Sequence, residues 1–284
     1  MSHFKYSYNA IVFTGEDFTT QVKRLSRFGY DAIELVGEPD WYDFAEVRRV
    51  CEEFGIKVSS ICSMFTTERD LSHPDAERRR KGVDYCREIA DMAAAVGAPI
   101  MIAAPSVWNK MHPLAPPDQE RGWAVENLQT VGEYANSVGV GIAIEPWNRY
   151  ETYVINRLDQ ALELLAELDL PNAGVHGDMF HMAIEEASIS DAYARARKHL
   201  THTHIADSNR AAPGTGHSDF KPVLQTLLDI GFDGYLTMEL LPATADPFGW
   251  VKEGRAEEFK DSYVEQSITH LKRIEQELIP FAGA

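Results

Sequence analysis

The sequence predicts a single domain with the fold of a (β/α)8 TIM barrel over residues 1–284. Eight short runs of β type recur along the chain, and amphipathic helical segments separate them. The same helix-to-strand junction occurs five times, and no linker or low-complexity tract divides the chain. Eight strands that alternate with helices over roughly 250 residues are what one TIM barrel requires.

The predicted strands are mostly apolar, and several are rich in β-branched residues. This composition is typical of parallel strands, which are buried on both faces. In chain order the strands are KYSYNAIVF, AIELVG, KVSSICSM, PIMIAA, GIAIEPW, AGVHGDMF, LTHTHIAD and GYLTMEL.

The predicted helices end at recognisable stop signals. FTTQVKRLSRFG and FAEVRRVCEEFG have apolar residues at helical spacing and end at Gly29 and Gly55. A helix, a glycine and a buried strand follow one another in RFGYDAIEL, EFGIKVSS, AVGAPIMI, SVGVGIAI and DIGFDGYLTMEL. A doubly wound open sheet is the alternative, but it usually has a Gly-rich phosphate loop after an early strand. Here TGEDFTT follows the first strand and favours a helix cap instead.

Composition and charge narrow the range of partners, cysteine chemistry and cellular locations to be expected for this protein. The chain has 27 Lys and Arg residues against 44 Asp and Glu residues, so its formal charge is −17 and nucleic acid is a poor candidate partner. The sparse cysteines Cys51, Cys62 and Cys86 favour neither a disulfide framework nor a cysteine zinc site. MSHFKYSYNAIVF does not have the pattern of a signal peptide, and the apolar stretch IADMAAAVGAPIMIAA is short and contains Asp91. We therefore expect a cytoplasmic protein without a membrane span.

Residues that can bind a metal stand at the ends of four successive predicted strands: Glu145, Asp178, His204 and Glu239. The C-terminal ends of barrel strands meet at one mouth, so these side chains are expected to share a cavity. Carboxylates at the ends of apolar strands are costly to bury unless they are paired, and three together require a cation between them. The sequence therefore predicts a metal site.

The types of the candidate ligands indicate which metal ions the site favours, but the sequence does not fully decide which residues are the ligands. Three carboxylates and one imidazole favour hard or borderline cations such as Mn²⁺, Mg²⁺ or Co²⁺, whereas Zn²⁺ more often recruits further His or Cys ligands. His202 lies on the same strand face as His204, and His176 on the same face as Asp178, because side chains alternate with period two. Spacing alone leaves open which member of each pair binds the metal.

Four motifs, IEPWNRYE, HGDMFHM, HIADSNR and MELLP, resemble those of the xylose-isomerase-like superfamily of sugar isomerases and epimerases. The resemblance is strongest to the ketose 3-epimerases of the D-tagatose/D-psicose (allulose) group. It implies that Glu145, Asp178, His204 and Glu239 hold one divalent ion, usually Mn²⁺, and that the two glutamates also act as the acid/base pair. It further implies a sugar-like ketone as the substrate and a homodimer or homotetramer.

The resemblance also assigns three substrate-binding residues. Glu151 matches a carboxylate that contacts a substrate hydroxyl, His181 a histidine that hydrogen-bonds a substrate oxygen, and Arg210 an arginine that holds the same end of the sugar. The expected reaction is ketose 3-epimerisation through a cis-enediolate, with metal and general base acting together. Glu34, in the second predicted strand, has two interpretations: a contact to substrate hydroxyls or a structural ion pair.

Other functions on the same scaffold remain alternatives. An inosose isomerase or dehydratase, or a 3-keto-glycoside lyase, would use the same metal and the same proton abstraction. A DNA-repair endonuclease would need several zinc ions, more histidines and a basic groove, which the charge of −17 disfavours. A non-catalytic sugar-binding barrel would not need the two glutamates.

Overall fold

The computed structural model describes residues 3–279, apart from the side chains at positions 248 and 252. Its eight strands are all parallel and form a closed barrel in sequence order, β1 to β8, which confirms the predicted fold. They are β1 Lys5–Asn9, β2 Ala32–Gly37, β3 Lys57–Ser63, β4 Ile100–Ala103, β5 Gly141–Ile144, β6 Ala173–Asp178, β7 Leu200–His204 and β8 Tyr235–Met238.

The helices lie between successive strands and cover the outside of the barrel, and the last of them closes the ring against the first helix. Their bounds are α1 Phe18–Phe28, α2 Phe44–Phe54, α3 Ala76–Val96, α4 Pro117–Ser137, α5 Leu158–Leu168, α6 Met179–Glu185, α7 Ile189–Ala196, α8 Phe220–Asp229, α9 Pro247–Lys252 and α10 Glu257–Leu278.

The helix caps and glycine stops predicted from the sequence are found at the ends of the helices. Asp17 caps α1 by accepting a hydrogen bond from the Thr20 amide, as TGEDFTT suggested. Gly29 and Gly55 follow α1 and α2 with left-handed φ values of 80° and 68°, which a residue with a Cβ adopts only with strain. The chain can therefore reverse at each junction and enter the next strand.

Most of the predicted strands run past the observed C-terminal ends of the strands, and two of these ends have a clear local cause. β1 stops at Asn9 because the side chain of Asn9 accepts a hydrogen bond from the Ile11 amide and caps a 3-10 turn over Ala10–Phe13. β5 stops at Ile144, one residue before Glu145, and Pro146 has no N–H to continue the ladder. In both places the chain leaves the barrel wall at the mouth.

Strand register sets the height of the polar residues in the barrel. Asp178 on β6 is level with His204 on β7, and His204 is level with Thr237 on β8. On the opposite wall, Asn9 is level with Glu34, which is level with Ser60. A layer of polar side chains thus lies just below the mouth.

The cysteines are free and buried, at positions 51, 62 and 86. Among residues 3–279, no helix combines the length and the apolarity needed to cross a membrane. The predicted domain also includes residues 1, 2 and 280–284, which lie outside the described residues.

Candidate active site

The seven residues assigned from the sequence all lie together at the C-terminal mouth of the barrel. Ligand atoms of Glu145, Asp178 and His204 come within 4.8 Å of one another, and all three residues are buried. Glu239 lies beside this group, with its Oε2 3.4 Å from Nδ1 of His204. His181 lies 3.6 Å from Asp178, Arg210 lies 2.7 Å from Glu239, and Glu151 lies 3.9 Å from His181.

Asp178 is held by two elements at once. It is the last residue of β6 and the N-cap of α6, where its Oδ1 accepts a hydrogen bond of 2.7 Å from the Phe180 amide. The preceding Gly177 allows close packing, because a Cβ there would lie 2.3 Å from the Tyr193 ring. Oδ2 of Asp178 is buried without a hydrogen-bond partner and lies 3.8 Å from Nδ1 of His204.

His204 is oriented by a buried carboxylate on the far wall of the barrel. Its Nε2 lies 2.8 Å from Oε1 of Glu34, and since a carboxylate only accepts, Nε2 carries the proton. Glu34 also receives hydrogen bonds from Asn9 on Oε1 and from Ser60 on Oε2, and His202 Nε2 lies 2.8 Å from Oε2. All acceptor positions of Glu34 are thereby used within the protein. Of its two interpretations, this geometry favours the structural one.

His176 and His202, which sequence spacing could not distinguish from the proposed ligands Asp178 and His204, lie deeper in the barrel. His176 is fully buried, its ring centroid is 4.1 Å from that of His204, and its Nδ1 lies 3.6 Å from Oε1 of Glu145. His202 uses Nε2 for Glu34. Ring nitrogens of His176, His202 and His204 also approach within 4.8 Å, so this second group shares His204 with the first. His176 and Asp178 therefore both lie close to Glu145, and both of the ring nitrogens of His176 are buried without a hydrogen-bond partner.

The two strand-end glutamates have opposite electrostatic surroundings. Burial above all, and then the charges of Asp178 and Glu239, raise the pKa of Glu145 well above its usual range, although His204 opposes the shift. Burial would also raise the pKa of Glu239, but the Arg210 guanidinium and His204 outweigh it and hold this pKa well below the usual range. One glutamate thus favours its protonated form and the other its ionised form.

Arg210 links the glutamates of the site. Its Nη2 donates a hydrogen bond of 2.7 Å to Oε2 of Glu239, and its Nη1 lies 3.7 Å from Oε1 of Glu151. The guanidinium also lies 4.6 Å from the centre of the Phe180 ring. Arg210 has a φ of 61°, which is uncommon for a residue with a side chain, and strain of this kind is often found at functional sites.

The loop that carries Arg210 is organised by a buried aspartate. Asp207 accepts hydrogen bonds from the amides of Ser208 and Ser218 on Oδ1 and from the amide of Gly214 on Oδ2. The amide of Arg210 in turn donates to the carbonyl of Asp207. The strained position of Arg210 is therefore held by a dense set of backbone hydrogen bonds.

Two residues near the site were not identified from the sequence. Asn148, in the motif WNRYE between Glu145 and Glu151, hydrogen-bonds both Glu151 and His181. Its position inside that motif was the available signal. Cys62 is also buried, and its Sγ lies 3.8 Å from Oε1 of Glu239, so it borders the site.

The donor set fits a divalent cation. Asp178 Oδ2 and His204 Nδ1 are buried without hydrogen-bond partners, and they lie 3.8 Å apart beside two further carboxylates. Buried polar atoms of this kind need a partner, and a cation would satisfy both and offset the repulsion among the carboxylates. The oxygen-rich set with one imidazole suits a hard or borderline divalent ion.

The fold and this strand-end site define a barrel of the sugar isomerase type. A family model described as the xylose isomerase-like TIM barrel matches residues 22–263, so the chain belongs to that family. It is 28% identical over 242 residues to a 3-dehydro-D-guloside 4-epimerase of Escherichia coli (strain K12), covering 83% of this chain and 91% of the relative. It is also 28% identical over 242 residues to a ketose 3-epimerase of Arthrobacter globiformis, covering 83% of each chain.

Solved structures agree with this assignment. A D-allulose 3-epimerase from Methylomonas sp., in complex with D-allulose, has a TM-score of 0.84 at 25% identity, over 96% of this chain and 98% of that chain. A 3-keto-D-glucoside 4-epimerase from E. coli has a TM-score of 0.79 at 26% identity, over 89% of this chain and 98% of that chain. The family resemblance and the enzyme class predicted from the motifs, that of the sugar epimerases and isomerases, are thereby confirmed.

Proposed function

We propose that this chain is a divalent-metal-dependent ketose epimerase that moves the proton on C3, with Glu145 and Glu239 as the acid/base pair. The observation that carries the proposal is the placement of these glutamates directly after β5 and β8, with Asp178 and His204 at the ends of the two strands between them. Their surroundings shift the two pKa values in opposite directions, which supports the pairing. A pair of titratable groups with separated pKa values is the expected signature of an acid and a base.

The residues of the proposed site have separate roles in proton transfer, substrate binding and metal binding. Ionised Glu239 takes the proton from the carbon next to the carbonyl, and protonated Glu145 returns one from across the site; in the reverse direction the roles exchange. His181, Glu151 and Arg210 bind substrate oxygens and hold the reacting carbon between the two glutamates. Glu145, Asp178, His204 and Glu239 would hold the metal ion, for which we propose Mn²⁺, with Mg²⁺ or Co²⁺ as alternatives. When bound, the ion supplies Lewis-acid stabilisation of the negative charge that develops on the substrate.

A second candidate substrate class is a 3-keto-glycoside that is epimerised at C4. Support comes from the E. coli relative, a 3-dehydro-D-guloside 4-epimerase whose length is 91% covered by the match. C4 is next to the C3 carbonyl, so the chemistry is the same proton transfer beside a carbonyl. The two candidates differ in the substrate and in the carbon that exchanges its hydrogen.

The proposal is tested by incubating the Mn²⁺-reconstituted protein in D₂O with free ketoses and, separately, with 3-keto-glycosides. NMR locates the deuterium and mass spectrometry establishes whether mass is otherwise conserved. Deuterium at C3 of a ketose, with the C3 epimer formed, supports ketose epimerisation, and deuterium at C4 of a keto-glycoside supports the second candidate. Loss of water or cleavage of the substrate would instead identify a dehydratase or a lyase, and no exchange on any substrate would contradict an epimerase.

Matched variants test the acid/base pair. Glu145→Gln and Glu239→Gln should each reduce exchange by about 10²–10⁴-fold, the usual contribution of one acid or base. Glu185→Gln is the control, because Glu185 pairs with Arg149 outside the site at 2.7 Å. Metal content measured on every variant separates loss of the metal from loss of the proton transfer.

We also propose that residues 1–284 act as one catalytic domain in a cytoplasmic homodimer or homotetramer. Light scattering on the purified protein measures the mass of the assembly against the 31.9 kDa of one chain. A monomer at working concentration would contradict the assembly that the family resemblance implies.

A further inference from the structure

Asn148 is a buried amide between two residues to which the proposed function gives substrate contacts. It lies three residues after Glu145 in the loop between β5 and α5 and is 2% exposed. A buried side-chain amide has two donors and an acceptor, and each is costly to leave without a partner. The partners of Asn148 therefore determine its orientation.

Two neighbours fix the orientation of the amide independently of any histidine. Oδ1 accepts a hydrogen bond of 2.9 Å from the backbone N–H of Tyr150, a group that can only donate. Nδ2 donates a hydrogen bond of 3.0 Å to Oε1 of Glu151, and an ionised carboxylate can only accept. Rotating the amide by 180° would break both bonds, so Nδ2 is the nitrogen that faces His181.

This orientation determines where His181 carries its proton. Nδ1 of His181 lies 2.8 Å from Nδ2 of Asn148 and accepts a second hydrogen bond, of 3.3 Å, from the Asn148 backbone N–H. A nitrogen that faces two donors must offer its lone pair, so the hydrogen of the neutral imidazole is on Nε2. Nε2 lies 3.6 Å from Oδ2 of Asp178 and 3.9 Å from Oε1 of Glu145. The donor side of the ring thus faces the proposed site.

We propose that Asn148 is a positioning residue that holds His181 in the Nε2–H tautomer and orients the carboxylate of Glu151. His181 then presents a donor and Glu151 an acceptor to adjacent oxygens of one substrate, which suits a carbonyl beside a hydroxyl. The roles of the two residues rest on the proposed function, whereas the tautomer of His181 does not. The tautomer is therefore the primary measurement.

The test uses the Mg²⁺-loaded protein, because Mg²⁺ is diamagnetic, with ¹⁵N-labelled histidine and two-bond ¹H–¹⁵N NMR correlation spectra of the imidazole rings. The spectrum of His181→Asn assigns the His181 ring among the 10 histidines. The wild type is expected to show a neutral ring protonated on Nε2. In Asn148→Asp a carboxylate replaces the donor, so Nδ1 should become protonated.

Asn156→Asp is the matched control in the same loop, because Nδ2 of Asn156 donates only to the carbonyls of Trp147 and Thr152. It should leave the His181 tautomer unchanged even if it lowers the melting temperature. If Asn148→Asp does not fold, Asn148→Ala serves in its place and should give a mixture of tautomers.

An Nδ1–H tautomer in the wild type, or an unchanged Nε2–H tautomer in both folded Asn148 variants, would overturn the proposal. Activity gives the second readout: on a substrate that the wild type epimerises, Asn148→Asp should lower kcat/KM by about 100-fold per folded enzyme, while Asn156→Asp should leave kcat/KM near wild type. Equal kcat/KM in wild type and Asn148→Asp would also overturn it. Absence of turnover in the wild type would contradict the proposed function and leave the NMR test of Asn148 intact.

Discussion

Glu34 and His204 are hydrogen-bonded across the barrel, with Oε1 of the glutamate 2.8 Å from Nε2 of the histidine. The bond leaves Nδ1 of His204, which has no hydrogen-bond partner, directed toward Asp178 and Glu239. In a histidine ligand, one ring nitrogen binds the metal and the other carries a hydrogen. A carboxylate that accepts a hydrogen bond from this second nitrogen fixes the tautomer of the histidine and raises the basicity of the ring. Glu34 therefore has the geometry of a residue that supports a metal ligand.

We expect Glu34→Gln to weaken the binding of Mn²⁺ by about 10-fold or more, because loss of such a partner typically costs 10–100-fold in affinity. Competition with a fluorescent chelator measures the affinity without reference to catalysis. Glu38→Gln is the control, because Glu38 continues from β2 but pairs with Arg69 at 2.8 Å, away from His204. Equal Mn²⁺ affinities in wild type and Glu34→Gln would contradict this role.

Arg210 should set the acidic limb of the activity profile. Its guanidinium, 2.7 Å from Glu239, is the main group that holds the pKa of Glu239 down against the opposing effect of burial. Removal of the charge in Arg210→Met should raise that pKa, so the base becomes protonated, and activity is lost, at a higher pH than in the wild type. We expect the acidic limb of kcat/KM to move up by about 1 to 3 pH units.

Arg210→Lys is the matched variant, because it keeps the positive charge while losing the planar guanidinium. It should lower kcat/KM but leave the acidic limb near its wild-type position. An acidic limb at the same pH in Arg210→Met and wild type would show that Arg210 does not control the base.

Much of the site was predictable because barrel topology brings strand ends together. Glu145, Asp178, His204 and Glu239 are far apart in sequence, yet each ends or follows a strand, and the C-terminal ends of parallel strands share one mouth. The C-terminal ends of the helices were also predictable from the sequence, because glycine is favoured where φ is left-handed, as at Gly29.

The contacts within the site could not be predicted in the same way. Glu34 meets His202 and His204 across 168 and 170 residues of chain, through facing walls of the barrel rather than through neighbouring strands. Whether Glu34 contacts substrate or protein depends on this cross-barrel pairing, which periodicity does not encode. The orientation of Asn148 depends on backbone and carboxylate groups of its own loop, and the sequence pattern does not encode these contacts either.

Metal binding should release protons, and metal affinity should therefore rise with pH. Burial lowers the pKa of His204, but the carboxylates of Glu34 and Glu239 outweigh it and raise this pKa well above the usual range. A raised pKa means that the histidine is protonated at neutral pH, so a cation has to displace the proton from Nδ1. Displacement of one proton makes the affinity rise by about tenfold per pH unit below the pKa.

Isothermal titration with Mn²⁺ in buffers of different ionisation enthalpy counts the released protons directly. We expect at least one proton per ion between about pH 6 and pH 8. Glu34→Gln should release fewer, because it removes a charge that stabilises the proton on His204. No release in the wild type, with an affinity independent of pH, would contradict the assigned protonation of His204.

Asp207 should stabilise the fold at neutral pH and lose this effect in acid. Burial works to raise the pKa of Asp207, but the backbone amides of Ser218, Gly216, Ser208 and Gly214 outweigh it and lower the pKa. A carboxyl group with a lowered pKa in the folded state contributes stability above its unfolded pKa, near about 4, and loses it as the pH falls toward the folded pKa. We expect Asp207→Asn to lower the free energy of unfolding by about 1–3 kcal/mol at neutral pH, since buried amides lose a charged acceptor.

Urea unfolding at pH 7 and near pH 3 should show this difference shrinking in acid. The control is Asp233→Asn, at an exposed pair with Lys5, which should change the free energy of unfolding little at either pH. A difference of the same size at both pH values would show that the charge of Asp207 is not what holds the Arg210 loop.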